Sequence, residues 1–390
     1  MAFKRASRLD ELPPYLFIEI DRKKRAALAA GKDVIDFGVG DPDRPTPRFI
    51  IDRMAEAVYD PKNHRYPFDT GVPAFKDAAA AWLSRRFGVD VDPKTELLVL
   101  IGSKEGLGHL PLAVVNPGDT VLIPTPGYPV YAAATLFAGG KPHYMPLTVE
   151  RGFLPDLDAI SPAILEQTSL VFLNYPNNPT GATAPANFYA RCIELAKRHG
   201  FIICSDASYT EIYYDENDRP RSILELPGAK DVCVEMHSLS KTFNMTGWRI
   251  AFAAGNADVL AALAKIKGNM DSGAFNAVQE AGLAALEGID RPEVADIRRL
   301  YRARRDVLVG GLARAGFSVK PPGATFYVWA RCRAGYDSMT CAARLLDEAA
   351  IVTIPGAGFG HAGEGYVRFA LTVEEERIVQ AIERLSRMKW

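Results

Sequence analysis

Short apolar runs recur through the middle of the chain at Leu97–Ile101, Thr120–Pro124, Leu170–Asn174, Phe201–Ser205, Val232–His237 and Ile250–Ala254. They read as near-continuous apolar stretches rather than strict alternations, which predicts strands covered on both faces. Helical spacing fills several of the gaps. In Pro185–His199, Phe188, Cys192, Ile193, Leu195 and Ala196 recur at helical intervals. Strands alternating with helices predict an α/β fold with a mostly parallel sheet. After Ala254 the pattern changes. Asn256–Ala315 is largely helical, followed by strands at Phe326–Ala330, Ile351–Ile354 and Tyr366–Leu371 and helices at Met339–Ala350 and Val373–Arg387. This predicts a smaller α+β lobe at the C-terminal end.

The Pro/Gly-rich pieces Gly38–Pro47, Pro124–Pro129, Asn174–Gly181 and Pro321–Gly323 fall at strand ends. In open α/β sheets ligands bind there. A length of 390 residues fits two domains, or a large one with a smaller companion. Hydrophobic residues at 48% and charged residues at 24% are ordinary for a globular chain and exclude disordered and collagen-like classes. Lys and Arg number 46 against 47 Asp and Glu, so the basic surplus of a nucleic-acid binder is missing. No apolar run reaches the ~18–20 residues of a membrane span, and MAFKRASRLDELPPYLF lacks the apolar core of a secretory signal. Cys192, Cys204, Cys233, Cys332 and Cys341 form no C-x-x-C pair and the histidines are scattered. Neither a disulfide framework nor a metal site is expected, and a reducing cytoplasm fits.

The strongest chemical signal is V-E-M-H-S-L-S-K-T-F-N-M-T-G-W-R, Val234–Arg249. An apolar strand runs into Ser238, Ser240, Lys241 and Thr242. A lysine removed from water there has a lowered pKa and forms imines; otherwise it is a solvated loop lysine. Hydroxyls and Arg249 beside it make a phosphate site next to an amine, the combination that pyridoxal phosphate requires. In I-I-C-S-D-A-S-Y, Asp206 ends a strand, where a carboxylate is costly unless paired. It suits a pyridinium nitrogen, or it caps a helix. Tyr209 could reach the same ring. In L-N-Y-P-N-N-P-T-G, Asn178 sits in a rigid Pro/Asn turn and could donate to a ring oxygen. In L-V-L-I-G-S-K-E-G-L a helix starting after Gly102 would offer N–H groups to phosphate. Neither a Walker A loop nor a G-x-G-x-x-G fingerprint occurs. Tyr128, after a strand, could stack on a flat ring or simply pack. Arg368, amid apolar strand residues, must find an anion: a substrate carboxylate or a structural acid.

Taken in order, Gly38–Asp43 (GVGDPD), Gly102–Gly106 (GSKEG), Asn177–Gly181 (NNPTG), Asp206–Tyr209 (DASY), Ser238–Lys241 (SLSK), Arg249 and Arg368 resemble the fold-type I, pyridoxal-phosphate-dependent aminotransferases of class I and II. The likeness runs from about Leu12 to Leu385. It implies a large cofactor-binding domain, residues 45–285, and a discontinuous small domain, residues 1–44 plus 286–390. By the same resemblance Lys241 would hold the cofactor and shuttle a proton, and Asp206 would pair with the ring nitrogen. Asn178 and Tyr209 would bond the ring oxygen, and Tyr128 would stack on the ring. Ser103, Lys104, Ser238, Ser240 and Arg249 would hold the phosphate or its surroundings, with Tyr66 reaching it from the partner subunit of a homodimer. Arg368 would bind the substrate α-carboxylate, with Tyr15, Gly40 and Lys104 also on the substrate side. L-P-P-Y-L-F-I-E-I-D-R-K, N-H-R-Y-P and G-E-G-Y-V-R are similar to the branch acting on diaminopimelate. That branch implies reversible amino transfer between glutamate/2-oxoglutarate and tetrahydrodipicolinate/LL-2,6-diaminopimelate, in lysine biosynthesis. The alternative is an aspartate, alanine or broad 2-oxo-acid aminotransferase. Two features depart from the family pattern: Pro67-Phe68-Asp69-Thr70-Gly71 replaces a loop that often carries Tyr-Glu-Gly, and Ser205 precedes Asp206.

Overall fold

The computed structural model describes residues 4–12, 16–67 and 70–390. A seven-stranded sheet runs in the spatial order Leu97–Leu100, Ala251–Gly255, Cys233–Ser238, Ile202–Asp206, Thr168–Asn174, Thr120–Thr125 and Lys141–Pro146. Neighbours from Cys233–Ser238 to Lys141–Pro146 are parallel, and Ala251–Gly255 pairs antiparallel on both sides. The mostly parallel α/β expectation therefore holds. Alternate strand residues supply separate cores on the two faces. Leu98, Leu100, Phe172, Cys204 and Met236 pack with the helices Ser103–Val114, Val130–Phe137 and Ala257–Met270. Leu97, Val99, Val171, Leu173 and Ile203 pack with Pro73–Phe87, Ala186–His199 and Asn276–Glu287. Burial on both faces explains why these strands read as unbroken apolar runs.

The edge strand Lys141–Pro146 has no such signature. Only Met145 of it is buried, and an edge tolerates prolines and polar side chains. The helix Pro73–Phe87 likewise lacks a clean apolar stripe. It is specified by an alanine run, by Pro73 at its start and by Gly88, which ends it at φ 66°.

A second sheet orders Ile354–Pro355, Tyr366–Ala370, Tyr327–Arg331 and Ser318–Val319, all antiparallel. The expected strand Ile351–Ile354 splits in two. Ile351–Val352 pairs parallel with Ile35–Asp36, whereas Ile354–Pro355 joins the second sheet, so the chain changes partner at Thr353. The lobe's core gathers Phe37, Tyr301, Phe326, Leu345, Phe369 and Ile378, and Tyr209, Ile212 and Tyr214 reach into it from the far end of the Ile202–Asp206 strand.

The segment 38–46 crosses between the two sheets and is tied to both. Arg368 donates to Gly38 O at 2.8 Å and Thr372 to Val39 O at 2.6 Å. Thr246 donates to Asp41 at 2.6 Å, and the buried Arg304 grips Asp43 through both terminal nitrogens at 2.6 and 2.7 Å. Burial favours the neutral acid, yet the Arg304 guanidinium outweighs it and holds the Asp43 carboxyl below its ordinary range.

Candidate active site

The carboxyl ends of the parallel strands and the crossing segment enclose a cavity of about 610 Å³. Ser103, Lys104, Tyr128, Asn178, Asp206, Tyr209, Ser238, Ser240, Lys241, Arg249, Arg368 and Gly40 all line it. Tyr66 does not, and it is 68% exposed. Tyr15 lies outside the described residues, as do Phe68 and Asp69 of the divergent loop. Thr70 of that loop accepts a hydrogen bond from Lys76 at 3.0 Å.

Lys241 sits in the short helix Leu239–Thr242, which Ser238 starts by accepting Ser240 N–H at 3.2 Å. Its Nζ donates to Gly40 O at 3.0 Å. Burial lowers its pKa to about 8; Arg368 and Arg249 push the same way and Asp41 opposes them. A sizeable neutral fraction near pH 8 makes this amine a nucleophile.

Asp206 is 4% exposed. Tyr131 donates to one carboxylate oxygen at 2.7 Å and Ser208 Oγ to the other at 2.6 Å. Burial raises its pKa, against those two hydrogen bonds. Ser208 N–H adds a third bond at 3.3 Å; all three donors are neutral, so a cationic N–H partner is what the carboxylate lacks. The sequence singles out Tyr128 and not Tyr131, the lone hydroxyl in the first turn of the apolar helix Val130–Phe137. Tyr131 stacks on Phe172 at 4.8 Å, which aims its hydroxyl.

Arg368 is 3% exposed. It donates to Asn178 Oδ1 at 2.9 Å and Gly38 O at 2.8 Å, and its guanidinium lies 4.1 Å from the centre of the Tyr327 ring. Among the described residues no carboxylate pairs with it, and its Nε has no partner. Burial lowers its pKa. The structural-acid alternative is thus not what the fold provides, and a cation so placed calls for an anion from outside. Tyr327 was also missed. Its hydroxyl lies 3.1 Å from that of Tyr209, and a Cβ on Gly40 would fall 2.1 Å from it, so only glycine fits there.

At the other end of the cavity the helix Ser103–Val114 begins after Gly102, at φ 75° and ψ 151°. A Cβ on Gly102 would fall 2.1 Å from Arg249 Nη2. The glycine therefore lets the guanidinium lie against the helix start. Arg249 itself takes the left-handed φ of 57° and donates to Thr246 O at 2.8 Å. Ser208 links this corner to Asp206: its Oγ, which donates to the carboxylate, lies 3.1 Å from Ser103 Oγ and can accept from it. Lys104 Nζ lies 5.8 Å from the Tyr128 ring centre. Unsatisfied N–H groups of a helix start, hydroxyls and an arginine make an anion cradle. The cavity therefore holds an amine of lowered pKa, a carboxylate short of a cation, and two separate anion sites.

That arrangement agrees with the comparisons with known proteins. Residues 32–385 match the family described as aminotransferase class I and II, and the chain belongs to it. Over its full length it is 55% identical to a protein of Syntrophobacter fumaroxidans named LL-diaminopimelate aminotransferase, with 100% of both chains covered. An Aquifex aeolicus protein of the same name is 50% identical, covering 99% of this chain and 100% of its own. Among solved structures, substrate-bound BacF from Bacillus subtilis superposes with a TM-score of 0.94 at 37% identity, covering 99% of this chain and 98% of its own. An aspartate aminotransferase mutant of Thermus thermophilus does so with 0.92 at 30%, covering 99% and 100%. The chain is an aminotransferase of this fold. Among the described residues no helix is long and apolar enough to cross a membrane.

Proposed function

We propose that this aminotransferase uses pyridoxal phosphate to move an amino group between glutamate/2-oxoglutarate and tetrahydrodipicolinate/LL-2,6-diaminopimelate, in lysine biosynthesis. The observation that carries the cofactor assignment is the convergence of Lys241, Asp206, Arg249 and Arg368 on one cavity. When bound, pyridoxal phosphate would supply an aldehyde for amines and a ring that draws off electrons. Lys241 would contribute the amine and carry the proton at Nζ between substrate carbon and cofactor. Asp206 would hold a proton at the ring nitrogen. Asn178, whose Oδ1 is engaged by Arg368, keeps its Nδ2 for the ring oxygen, beside Tyr209. Tyr128 would cover the ring, and Ser103, Lys104, Ser238, Ser240 and Arg249 would serve the phosphate. Arg368 would take the α-carboxylate through two parallel hydrogen bonds, with Tyr15, Gly40 and Lys104 toward the rest of the substrate.

Full-length relatives of 50–55% identity with the diaminopimelate name support the substrate. We further propose a cytoplasmic homodimer in which Tyr66, exposed in one chain, serves the partner's site, and a division into a large domain of residues 45–285 and a small one of 1–44 plus 286–390. Two measurements test this. Borohydride reduction of the loaded protein should fix the cofactor on Lys241, and formation of the imine by apo-protein should titrate near pH 8. Adduct on another lysine overturns the assignment. In a donor panel, LL-diaminopimelate with 2-oxoglutarate should exceed alanine and aspartate by ~10⁴-fold or more, because a site built for a polar head rejects analogues without one. Faster turnover of aspartate or alanine overturns the substrate and leaves Lys241 standing.

A further inference from the structure

The G-S-K-E-G turn contains one charged group that the reading above leaves without a role. Glu105 lies in the first turn of the helix Ser103–Val114. Its Oε2 accepts Ile101 N–H at 3.0 Å, closing the turn across Gly102, and its Oε1 lies 2.7 Å from His109 Nδ1. A carboxylate at a helix start is favourable for the helix, but its charge opposes any other anion drawn to the helix-start N–H groups.

The structure supplies a counter-charge from a different helix. Lys267, near the end of Ala257–Met270, is 6% exposed. Its ammonium donates to Glu105 Oε2 at 2.7 Å and lies 3.3 Å from both oxygens of Asp271. Asp271 in turn accepts Gly273 N–H at 2.8 Å. Glu105, His109 and Asp271 have the ligand spacing of a metal site, with donor atoms within 4.8 Å of one another. The Lys267 ammonium already bonds two of the three, so it supplies the positive charge between the two carboxylates.

We propose that Lys267 is a positioning residue for the phosphate anchor. It neutralises Glu105, so that the carboxylate can shape the turn from Ile101 to Ser103 without repelling the phosphate that Ser103, Arg249 and the helix start would hold. The proposal rests on the reading of that helix start as the phosphate site. An uncompensated carboxylate in the same turn as Ser103, in a partly dehydrated site, changes the affinity for an anion held there by roughly tenfold or more.

The test uses the apo-protein and three probes: pyridoxal phosphate, pyridoxal, which lacks the phosphate, and inorganic phosphate. Equilibrium dissociation constants are measured by absorbance and calorimetry. Lys267→Met should weaken pyridoxal phosphate and inorganic phosphate about tenfold or more and leave pyridoxal unchanged. Adding Glu105→Gln to it should restore most of the loss, and Lys267→Arg should behave like the wild type. Equal losses for pyridoxal and pyridoxal phosphate, or no recovery in the double variant, would show that Lys267 acts by packing and overturn the proposal. If Lys267→Met does not fold, Glu105→Gln alone decides. It should bind inorganic phosphate more tightly than the wild type, and equal or weaker binding is the contrary result. Failure of the wild type to prefer pyridoxal phosphate over pyridoxal would instead refute the phosphate site itself.

Discussion

Two carboxylates lie buried on adjacent strands, one residue out of step. Ser205 faces Glu235 across the pair Ile202–Asp206 and Cys233–Ser238, and Asp206 follows on the opposite side of the sheet. Glu235 is satisfied where it lies. Ser205 Oγ at 3.0 Å, Ser222 Oγ at 2.6 Å, Ile223 N–H at 3.1 Å and His237 Nε2 at 2.8 Å all converge on it. Burial pushes its pKa up, but His237, Ser222 and Ile223 outweigh burial and hold it below the ordinary range. Asp206 has only Tyr131 and Ser208, and there burial wins. Equal depth thus produces opposite shifts. A carboxylate completed by its own chain belongs to the fold. One left wanting a cation marks the place where a ligand completes it.

The comparison breaks most visibly at Asp206→Asn. Transaminase turnover should fall by roughly three orders of magnitude, because a buried ion pair that loses one partner forfeits ~3–5 kcal/mol. Stability should move the other way. A carboxyl whose folded pKa is raised contributes stability only at low pH and loses it as pH rises through the folded value. Removing that carboxyl should leave the apo-protein's melting temperature at neutral pH unchanged or higher. Near-normal turnover would make Asp206 a helix cap.

Glu235→Gln should invert that result. Four groups point at the two oxygens, and an amide can accept on only one side, so some donors go unpaired at ~1–3 kcal/mol each. We expect a loss of about 3 kcal/mol in urea unfolding, with kcat per folded molecule within twofold of the wild type. The pH dependence gives a second readout. Glu235 is held low in the folded state, so its contribution is present above the unfolded carboxyl pKa and disappears as pH falls through the folded value. The wild-type advantage over the glutamine variant should therefore shrink in acid. A variant as stable as the wild type at pH 7 would mean that the network around Glu235 is not structural.

The same contrast explains what could be read in the sequence. Strands packed on both faces announce themselves as apolar runs, so the strands of the large sheet were legible within a residue or two, except the polar edge Lys141–Pro146. Lys241, Asp206 and Arg368 stood out because charge or polarity breaks an apolar strand or its end. Tyr131 and Tyr327 did not, because a tyrosine in an apolar segment looks like packing until the partner of its hydroxyl is known. Glu235 and Lys267 were silent for a related reason. His237 and Asp271 lie two and four residues from them, but Ser222 and Glu105 meet them only through tertiary structure, and no local spacing encodes the full set. The split of Ile351–Ile354 also depends on a partner, Ile35–Asp36, more than three hundred residues away in sequence.

The smallest and most discriminating change is Tyr131→Phe. The ring stays stacked on Phe172, and only the hydroxyl that donates to Asp206 Oδ2 at 2.7 Å is lost. A hydrogen bond to a charged acceptor is worth ~1.5–3 kcal/mol. Ser208 still serves the other oxygen, so part of the charge stabilisation survives. Since Tyr131 is one of the bonds that oppose burial, its loss must push the Asp206 carboxyl further up. The acid limb of kcat/KM should consequently move to higher pH by about one unit, and turnover at pH 7 should fall about tenfold. The melting temperature should fall by only a few degrees, because volume and stacking are conserved and Ser208 still serves the carboxylate. A fall in activity without a shift of the acid limb would mean that Tyr131 merely packs, and the explanation of Asp206 by its incomplete set of partners would then fail at the residue that completes half of it.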